Sequence, residues 1–305
     1  MDLRRLRHFS ELAETLNFRA AAERVHLTQP AFTRSIARLE QELGTQLFVR
    51  DKRSVELTPA GAALLGQVRT LLCDADALER AAKVMGQTGR RELHVGLYGT
   101  ALAELTHPVL LTFAQRYPDV EVVVHDVAFD NGVEPLLRGE LDVGLLRAPT
   151  DIPSISAVPL FAEPAAFQLP ISHPLSREQA VYATDLLDDS WAGLPSTTPA
   201  EWGRYFVCAD QHDGGAPSIG GEGRTITEVA SLVALRGLVA LVPNSTARQH
   251  HPGVSSVPAL GVEPFRVAVL HAASTTDAAV QAFVDIAIEV TRQNVSMVPG
   301  AELLA

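Results

Sequence analysis

The sequence is poor in cysteine and lacks a cluster of metal-binding residues. Its two cysteines, Cys73 and Cys208, lie far apart, and neither belongs to a CxxC pair. Both a disulfide framework and a structural zinc site need more cysteines, or closer ones. Cys208 with His212, and His250 with His251, have no third ligand at a useful spacing. We interpret them as core or solvated side chains, and we predict no metal and no cofactor.

Long apolar runs are absent too. No uninterrupted apolar stretch approaches the roughly 18 residues of a membrane span. The N-terminal segment is charged and amphipathic, unlike a signal peptide. We therefore expect a cytoplasmic protein with no membrane partner.

Motifs for catalysis are missing. The sequence contains no nucleophile elbow and no phosphate-binding loop. The glycines between positions 214 and 223 follow no predicted strand, so they do not form a dinucleotide fingerprint. We expect that the protein is not an enzyme.

The charge is negative overall but uneven. The 305 residues carry a net charge of −11 and are 47% hydrophobic, enough for more than one core. Residues 1–58 hold ten Lys or Arg against eight Asp or Glu, a balance of +2, which leaves −13 for residues 59–305. A modest positive balance at the N-terminus is compatible with nucleic-acid binding, and the acidic remainder discourages indiscriminate adhesion.

Two helices are predicted near the N-terminus, after an amphipathic helix over residues 3–16. Asn17 can cap the first, whose apolar face is formed by Phe18, Ala21, Ala22 and Val25. Thr28 is a good N-cap and Pro30 is tolerated in a first turn, so a second helix should begin at about Gln29. Its apolar side consists of Phe32, Ile36, Leu39 and Leu43.

The opposite side of the second helix is polar. It carries Gln29, Pro30, Thr33, Arg34 and Arg38, side chains suited to base edges and phosphates. This pattern predicts a helix-turn-helix, although any antiparallel helix pair shows the same periodicity. The stretch 47–59 favours the first interpretation, because it resembles a two-stranded wing with a charged tip at Arg50, Asp51, Lys52 and Arg53.

Residues 1–65 resemble the winged helix-turn-helix of the LysR-type bacterial transcriptional regulators. The positions that match that family's signature are Thr28, Gln29, Pro30, Ala31, Arg34, Ile36, Leu39, Glu40, Leu43, Gly44, Leu47, Phe48, Arg50, Leu57, Thr58 and Gly61. Thr33 replaces a more usual serine and keeps the hydroxyl. The resemblance implies promoter double-stranded DNA as a partner, read from the recognition helix and wing by Thr28, Gln29, Pro30, Thr33, Arg34, Arg38, Arg50, Lys52 and Arg53.

A long helix should follow, from Pro59 at N1, with Thr58 as its cap, to about Gly86. Its small and apolar residues repeat at steps of three and four: Gly61, Leu64, Val68, Leu71, Ala75, Leu78, Ala82 and Met85. This spacing is typical of a coiled coil, so we predict a dimerisation helix that pairs through Leu64, Val68, Leu71, Ala75 and Leu78. The alternative is a helix lying on its own domain. Residues 87–91 then form a hinge.

From residue 92 the pattern changes to alternating strands and helices. Strands over 93–97, 120–126 and 141–146 with helices over 101–116 and 131–138 predict a parallel βαβαβ unit. A second region of this kind occupies 162–264, with strands over 191–195 and 238–243 and helices over 199–211 and 227–235. A strand over 265–271 and a helix over 277–293 return to the first lobe. We thus expect an α/β effector domain with one lobe of residues 92–161 and 265–305 and another of 162–264.

This half resembles, more loosely, the periplasmic-binding-protein-like effector domain of the same family, through "RYPDVEVVVHD", "LLRGELDVGLLR" and "LVALVP". Three places depart from it. Gly99 and Thr100 follow the first strand, where a serine or threonine is frequent. Phe129 stands where members that bind aromatic acids can have a hydroxyl, and Leu235, Arg236 and Leu238 lie where small residues and a double glycine usually lead into a strand.

A ligand site is expected between the lobes. Thr100 should cap a helix beginning at Ala101, where free NH groups favour an anion, and Arg147 follows a strand and is suited to bidentate pairing with a carboxylate. The other predicted effector-binding residues are Gly99, Ser196, Thr197, Thr198 and Thr227, with Phe129 and Trp202 as apolar walls. They suggest a small organic acid. In the alternative, Thr100 is only a cap and Arg147 only a surface ion pair.

The resemblance implies a dimer that pairs again into a tetramer and acts with RNA polymerase as an activator or a repressor, controlled by a small-molecule effector. Two other functions stay open. A stand-alone solute-binding or catalytic α/β protein would show no salt-dependent DNA affinity. A redox sensor would use Cys208, although peroxide-sensing members have a cysteine pair in the effector domain and only Cys208 lies in that half.

Overall fold

The computed structural model describes residues 2–50, 55–86, 91–147, 152, 154–212 and 216–304. The chain divides into two compact units, one that ends with a long helix and one that begins with the strand after it. Each is described by itself. Among the described helices, none is both long and apolar enough to span a bilayer.

The N-terminal unit is a three-helix cluster followed by a two-stranded wing. Its elements are α1 (Leu3–Thr15), α2 (Phe18–Arg24), α3 (Gln29–Leu43), β1 (Phe48–Arg50), β2 (Val55–Leu57) and α4 (Pro59–Gly86). The Asn17 side chain accepts hydrogen bonds from the backbone N–H groups of Arg19 and Ala20, so it caps α2 as predicted. Thr28 occupies the N-cap of α3 but forms no side-chain cap bond. Thr58 does cap α4, since its Oγ1 accepts from Gly61 N at 2.9 Å.

One core holds this unit together. Phe9, Phe32 and Ile36 are fully buried, and the two alanines of α2 allow α2 and α3 to cross closely. The carboxylate of Glu40 accepts from the backbone N–H groups of Leu47 and Phe48, which ties the base of the wing to α3. The orientation of α3 is therefore fixed by buried contacts on its inner side.

Helix α4 combines the two interpretations that its sequence allowed. Val68 and Leu72 are buried, and Leu64 packs against the same core, so the first turns lie on their own unit. Farther along, Leu71 and Leu78 are 40% and 72% exposed. The predicted seam thus divides: Leu64 and Val68 contribute to the core of this unit, while the side chains of Leu71 and Leu78 remain accessible.

The C-terminal unit contains a six-stranded sheet, in which the strand Glu302–Leu303 lies at one edge and the strand Val120–Val127 at the other. Its strands are β3 (Arg91–Tyr98), β4 (Val120–Val127), β5 (Val143–Arg147), β6 (Ile155–Glu163), β13 (Phe265–Ala272) and β14 (Glu302–Leu303). Strand β3 is parallel to β4 and β5, as predicted. Strand β13 is antiparallel to both β5 and β6, so the sheet is mixed, and the long strand β6 was not predicted. Helices α5 (Thr106–Arg116) and α10 (Ala278–Asn294) cover its core.

The second lobe is mainly antiparallel, which corrects the expectation of another parallel unit. Its four-stranded sheet consists of β7 (Ala165–Pro170), β8 (Val181–Tyr182), β11 (Ala240–Pro243) and β12 (Val254–Leu260), in the spatial order β11-β7-β12-β8. Strands β9 (Ser190–Gly193) and β10 (Ser218–Glu222) form a parallel pair. The helices are α7 (Ala200–Phe206), α8 (Ile226–Arg236) and α9 (Asn244–Ala247), with α6 (Glu134–Leu137) in the first lobe. The chain crosses between the lobes twice, from β6 to β7 and from β12 to β13.

Candidate functional site

The outer side of α3 presents the predicted polar residues. Gln29, Pro30, Arg34 and Arg38 are exposed, and Thr33 is half-buried. Arg34 donates from Nε to the carbonyl of Pro30 at 3.3 Å, and Arg38 lies 3.8 Å from the Glu42 carboxylate. Thr28 is also exposed. The side chain of Arg50, and Lys52 and Arg53 altogether, lie outside the described residues.

A cleft lies between the two lobes of the C-terminal unit. The space between its walls amounts to about 330 Å³, part of it open to solvent. The lining residues are Tyr98, Gly99, Thr100, Phe129, Leu146 and Arg147 from the first lobe and Trp202, Phe206, Ile226, Pro243 and Thr246 from the second. Aromatic rings and aliphatic side chains therefore dominate the walls, with few polar groups among them.

Thr100 does not cap a helix, so the anion site predicted at Ala101 is wrong. Ala101 and Ala103 have φ angles of +44° and +55°, which a right-handed helix does not allow, and α5 begins only at Thr106. Thr100 Oγ1 lies 3.2 Å from both Ser245 Oγ and Thr246 Oγ1. The hydroxyl thus joins the first lobe to α9 of the second. Gly99, before it, has a φ of +60°, where a glycine avoids strain.

Arg147 is neither a surface residue nor free for bidentate pairing with a ligand. Its side chain is 4% exposed and forms an ion pair with Glu163, which is fully buried. Nη2 donates to the Thr100 carbonyl at 3.2 Å. Nη1 is buried and has no hydrogen-bond partner among the residues that the structure describes. Among the nitrogens of this guanidinium, Nη1 is therefore the one without a protein partner in the described part of the chain.

Glu163 accepts three kinds of hydrogen bond. Besides Arg147 Nε, its donors are the backbone N–H of Ser245 at 2.9 Å and the Ser245 hydroxyl at 3.1 Å. Burial lowers the pKa of Arg147, and the Glu163 carboxylate acts in the opposite direction. Since an arginine stays protonated in proteins, the two groups form a buried pair with no net charge.

The other predicted cleft residues separate into two groups. Phe129 and Trp202 line the cleft as predicted. Ser196 and Thr197 are exposed outside the lining, and Thr198 is buried and donates to the Phe129 carbonyl at 3.3 Å. Thr227 is exposed because α8 is capped by Thr225 and turns Ile226 inward instead. These four side chains do not contribute to the cleft lining.

Several cleft residues were missed from the sequence. They are Tyr98, Leu146, Phe206, Ile226, Pro243 and Thr246, with Glu163 and Ser245 behind Arg147. A glutamate at the end of an apolar stretch, as in "PLFAEP", was the available signal for a buried ion pair, because carboxylates are rarely buried unless they are paired. Among the described residues, no group of three or more His, Cys, Asp or Glu is placed to hold a metal ion.

Cys208 is buried, and burial raises the pKa of its thiol to about 12. Because the thiolate is the reactive form, a Cys73→Ser variant, in which Cys208 is the remaining thiol, should react with a maleimide at about pH 8 at least 100-fold more slowly than free cysteine. The same protein in denaturant serves as the control and should react at the ordinary rate. Fast labelling of the native variant would mean that Cys208 is accessible and has a lower pKa.

Comparisons with known proteins agree with this architecture. The family model described as "Bacterial regulatory helix-turn-helix protein, lysR family" matches residues 3–62, and the one described as "LysR substrate binding domain" matches residues 86–292. The chain is 40% identical over 187 residues to the Hca operon transcriptional activator HcaR of Escherichia coli, covering 61% of this chain and 62% of that protein. It is 31% identical over 266 residues to the transcriptional dual regulator OxyR of Escherichia coli, covering 87% and 82%.

Solved structures give the same result over the full length. A crystal structure of full-length CbnR with its target DNA matches 95% of this chain and 100% of that one, at 26% identity and a TM-score of 0.52. Full-length BenM matches 97% of both chains at 24% identity and a TM-score of 0.54, which shows a shared fold. The chain has a winged helix-turn-helix and a two-lobed domain, and both family models match it in order. The chain therefore belongs to the LysR family of DNA-binding bacterial transcriptional regulators with an effector-binding domain.

Proposed function

We propose that this regulator responds to a small organic acid with a flat apolar body, bound in the cleft between the lobes. The observation that carries the proposal is Arg147, which lines a mainly apolar cleft and whose buried Nη1 has no hydrogen-bond partner among the described residues. An unpaired donor in such a site favours a ligand that supplies an acceptor. Thr100 and Thr246 add hydroxyl groups at the same wall.

The apolar part of the effector is inferred from the rings around it. Tyr98 and Trp202 are nearly perpendicular with centroids 6.4 Å apart, and Phe129 and Phe206 lie 5.9 Å apart. The Tyr98 hydroxyl already donates to the Gly132 carbonyl at 2.6 Å, so it offers the ligand mainly its ring. Aromatic walls pack well against a flat ring, edge-on or offset. An aromatic acid therefore fits better than a short aliphatic one.

Trp202 provides the test, because it lines the cleft. Titration of the protein at about pH 6 with phenylacetate should change the tryptophan emission, whereas butyrate and the cation 2-phenylethylamine should bind at least tenfold more weakly. A Trp202→Phe variant should lose the optical signal while calorimetry still detects binding. If the amine binds as tightly as the acids, or no acid binds, the proposed effector class is wrong.

We further propose that Gln29, Thr33 and Arg34 read base edges in the major groove, while Thr28, Pro30, Arg38 and the wing residues Arg50, Lys52 and Arg53 position the backbone. The support is that Gln29, Pro30, Arg34 and Arg38 are exposed on α3 and Thr33 is half-buried, opposite a packed inner face. Effector binding would change the packing of the lobes and so the DNA bend and the access of RNA polymerase.

We also propose that two chains form a dimer through α4 and that these dimers pair into tetramers. Because Leu78 is 72% exposed in the single chain, a second copy of the helix is the partner that its heptad position favours. Leu78→Asp would place a charge in that seam, and we expect the dimer dissociation constant to rise at least tenfold in sedimentation equilibrium. Ile171→Asp, at a position 64% exposed in the C-terminal unit, is the matched control. Equal dissociation constants for the two variants would argue against pairing through α4.

A further inference from the structure

We propose that the cleft takes up its acid effector together with one proton, and that Glu163 imposes this by neutralising Arg147 before the effector arrives. The inference rests on the proposed function, because it concerns the same cleft and the same class of ligand. It assigns to Glu163, which does not line the cleft, the role of a specificity-determining residue.

The charged side chains around Arg147 are paired with one another. Arg147 is 4% exposed and Glu163 fully buried, and their charges cancel. Glu104 and Arg248, at the edge of this region, form an ion pair of their own at 36% and 34% exposure. The two nearby phenols donate to carbonyls, Tyr98 to Gly132 O and Tyr205 to Glu263 O, and burial raises the pKa of both. Among the described residues that face the pair, no positive charge is left over for an incoming anion.

Adding an ionised carboxylate to this cleft costs free energy. An ionised carboxylate in an apolar cleft needs an opposite charge to offset its loss of water. With the guanidinium already paired, two carboxylates would share one positive charge, and one of them should take up a proton. The pair is thus selective for a neutral acid group over its anion.

The proton can lie either on Glu163 or on the carboxylate of the effector. Both oxygens of Glu163 already accept hydrogen bonds, Oε1 from Arg147 Nε and the Ser245 hydroxyl and Oε2 from the Ser245 N–H, so a proton added to either oxygen would face a donor. The effector, in contrast, meets one free donor, Arg147 Nη1, among apolar walls. The proton should therefore reside on the effector. A neutral acid suits this wall, since its carbonyl can accept from Nη1 while its O–H donates to a hydroxyl such as that of Thr246.

A pH series on the wild-type protein tests the inference. A simple carboxylic acid has a pKa near 4, so its neutral fraction falls about tenfold per pH unit above that value. The dissociation constant of phenylacetate should accordingly rise about tenfold per unit between about pH 6 and pH 8. That of phenylacetamide, which is neutral throughout, should stay constant. Calorimetry in two buffers with different ionisation heats should show the uptake of about one proton per phenylacetate.

Substitution of Glu163 tests whether this residue causes the pH dependence of phenylacetate binding. Glu163→Gln leaves the guanidinium unneutralised, so phenylacetate should bind as the anion, with little proton uptake and an affinity nearly constant from about pH 6 to pH 8. Glu289→Gln is the matched control, because Glu289 is also paired with an arginine, Arg116, on the surface of the same lobe. It should keep the wild-type pH dependence.

The outcomes separate the two proposals. If phenylacetate binds to the wild-type protein with a pH-independent affinity and no proton uptake, the inference is overturned while the effector class stands. If neither the acid nor the amide binds at any pH, the proposed effector class falls and the inference with it. The wild-type series decides the question even where Glu163→Gln fails to fold.

Discussion

Arg34→Ala should abolish the preference of the protein for its operator while leaving weak, non-specific DNA binding in place. An arginine that contacts a guanine edge with two hydrogen bonds supplies about 1 to 3 kcal/mol of discrimination. A dimer carries two such residues, so the loss applies twice, amounts to about 2 to 6 kcal/mol, and is expected to reach at least about 30-fold. Arg34 is suited to this role because it is exposed, and no carboxylate among the described residues forms an ion pair with it.

The measurement is fluorescence anisotropy over a salt series, with an operator selected in vitro from random duplexes and a scrambled duplex of equal length. Arg24→Ala removes the same charge from the same unit and is the control, since Arg24 is held by the carboxylates of Glu11 and Glu14 at 3.0 and 3.7 Å. It should change the affinity for both duplexes less than threefold. Equal losses on operator and scrambled DNA for Arg34→Ala would indicate a phosphate contact instead of a base contact.

The winged helix-turn-helix was predictable because helix caps and apolar periodicity are local features of the sequence. Asn17 caps the helix that directly follows it, and the apolar residues of α3 recur at helical spacing and are buried. A winged helix-turn-helix of about 60 residues leaves few alternatives once caps and periodicity agree. The position of Thr28 was correct but its side-chain bond was not, since an N-cap site can be satisfied without its hydroxyl.

The cleft was less predictable because its chemistry depends on residues that are distant in sequence. Arg147 looked like a free ligand-binding arginine, yet its partner Glu163 lies at the end of β6, a strand missed in the pattern. Likewise, Thr100 resembles a helix cap, but two alanines with positive φ delay the helix to Thr106. No propensity favours alanine in that conformation, so tertiary contacts must impose it.

In the proposed mechanism, effector specificity depends on a pair of charges at the junction of the lobes. Arg147 ends β5 of the first lobe, Glu163 ends the strand from which the chain crosses, and Ser245 lies in α9 of the second lobe. A ligand that engages Arg147 Nη1 therefore meets the groups that hold the lobes together. Opening or closing of the cleft would change these hydrogen bonds, which gives the effector a physical means to alter lobe packing.

Arg147→Met should strongly destabilise the C-terminal unit. Removing one partner of a buried ion pair costs about 3 to 5 kcal/mol, because the other charge is left uncompensated. Glu163 would retain its two donors from Ser245 but no positive charge. The double variant Arg147→Met/Glu163→Gln leaves no buried charge, so we expect it to recover more than half of the lost free energy of unfolding.

The measurement is denaturant unfolding followed by tryptophan emission. Both tryptophans, Trp191 and Trp202, are buried in the C-terminal unit, so their emission reports the unfolding of that unit alone. Both variants should lose phenylacetate binding, because they lack the guanidinium of Arg147. Both should keep specific operator binding, because the winged helix-turn-helix is unchanged. A double variant no more stable than the single one would mean that the packing of the arginine side chain, rather than its charge, stabilises the lobe junction. A single variant that loses less than about 1 kcal/mol would show that water reaches the Glu163 carboxylate and solvates it.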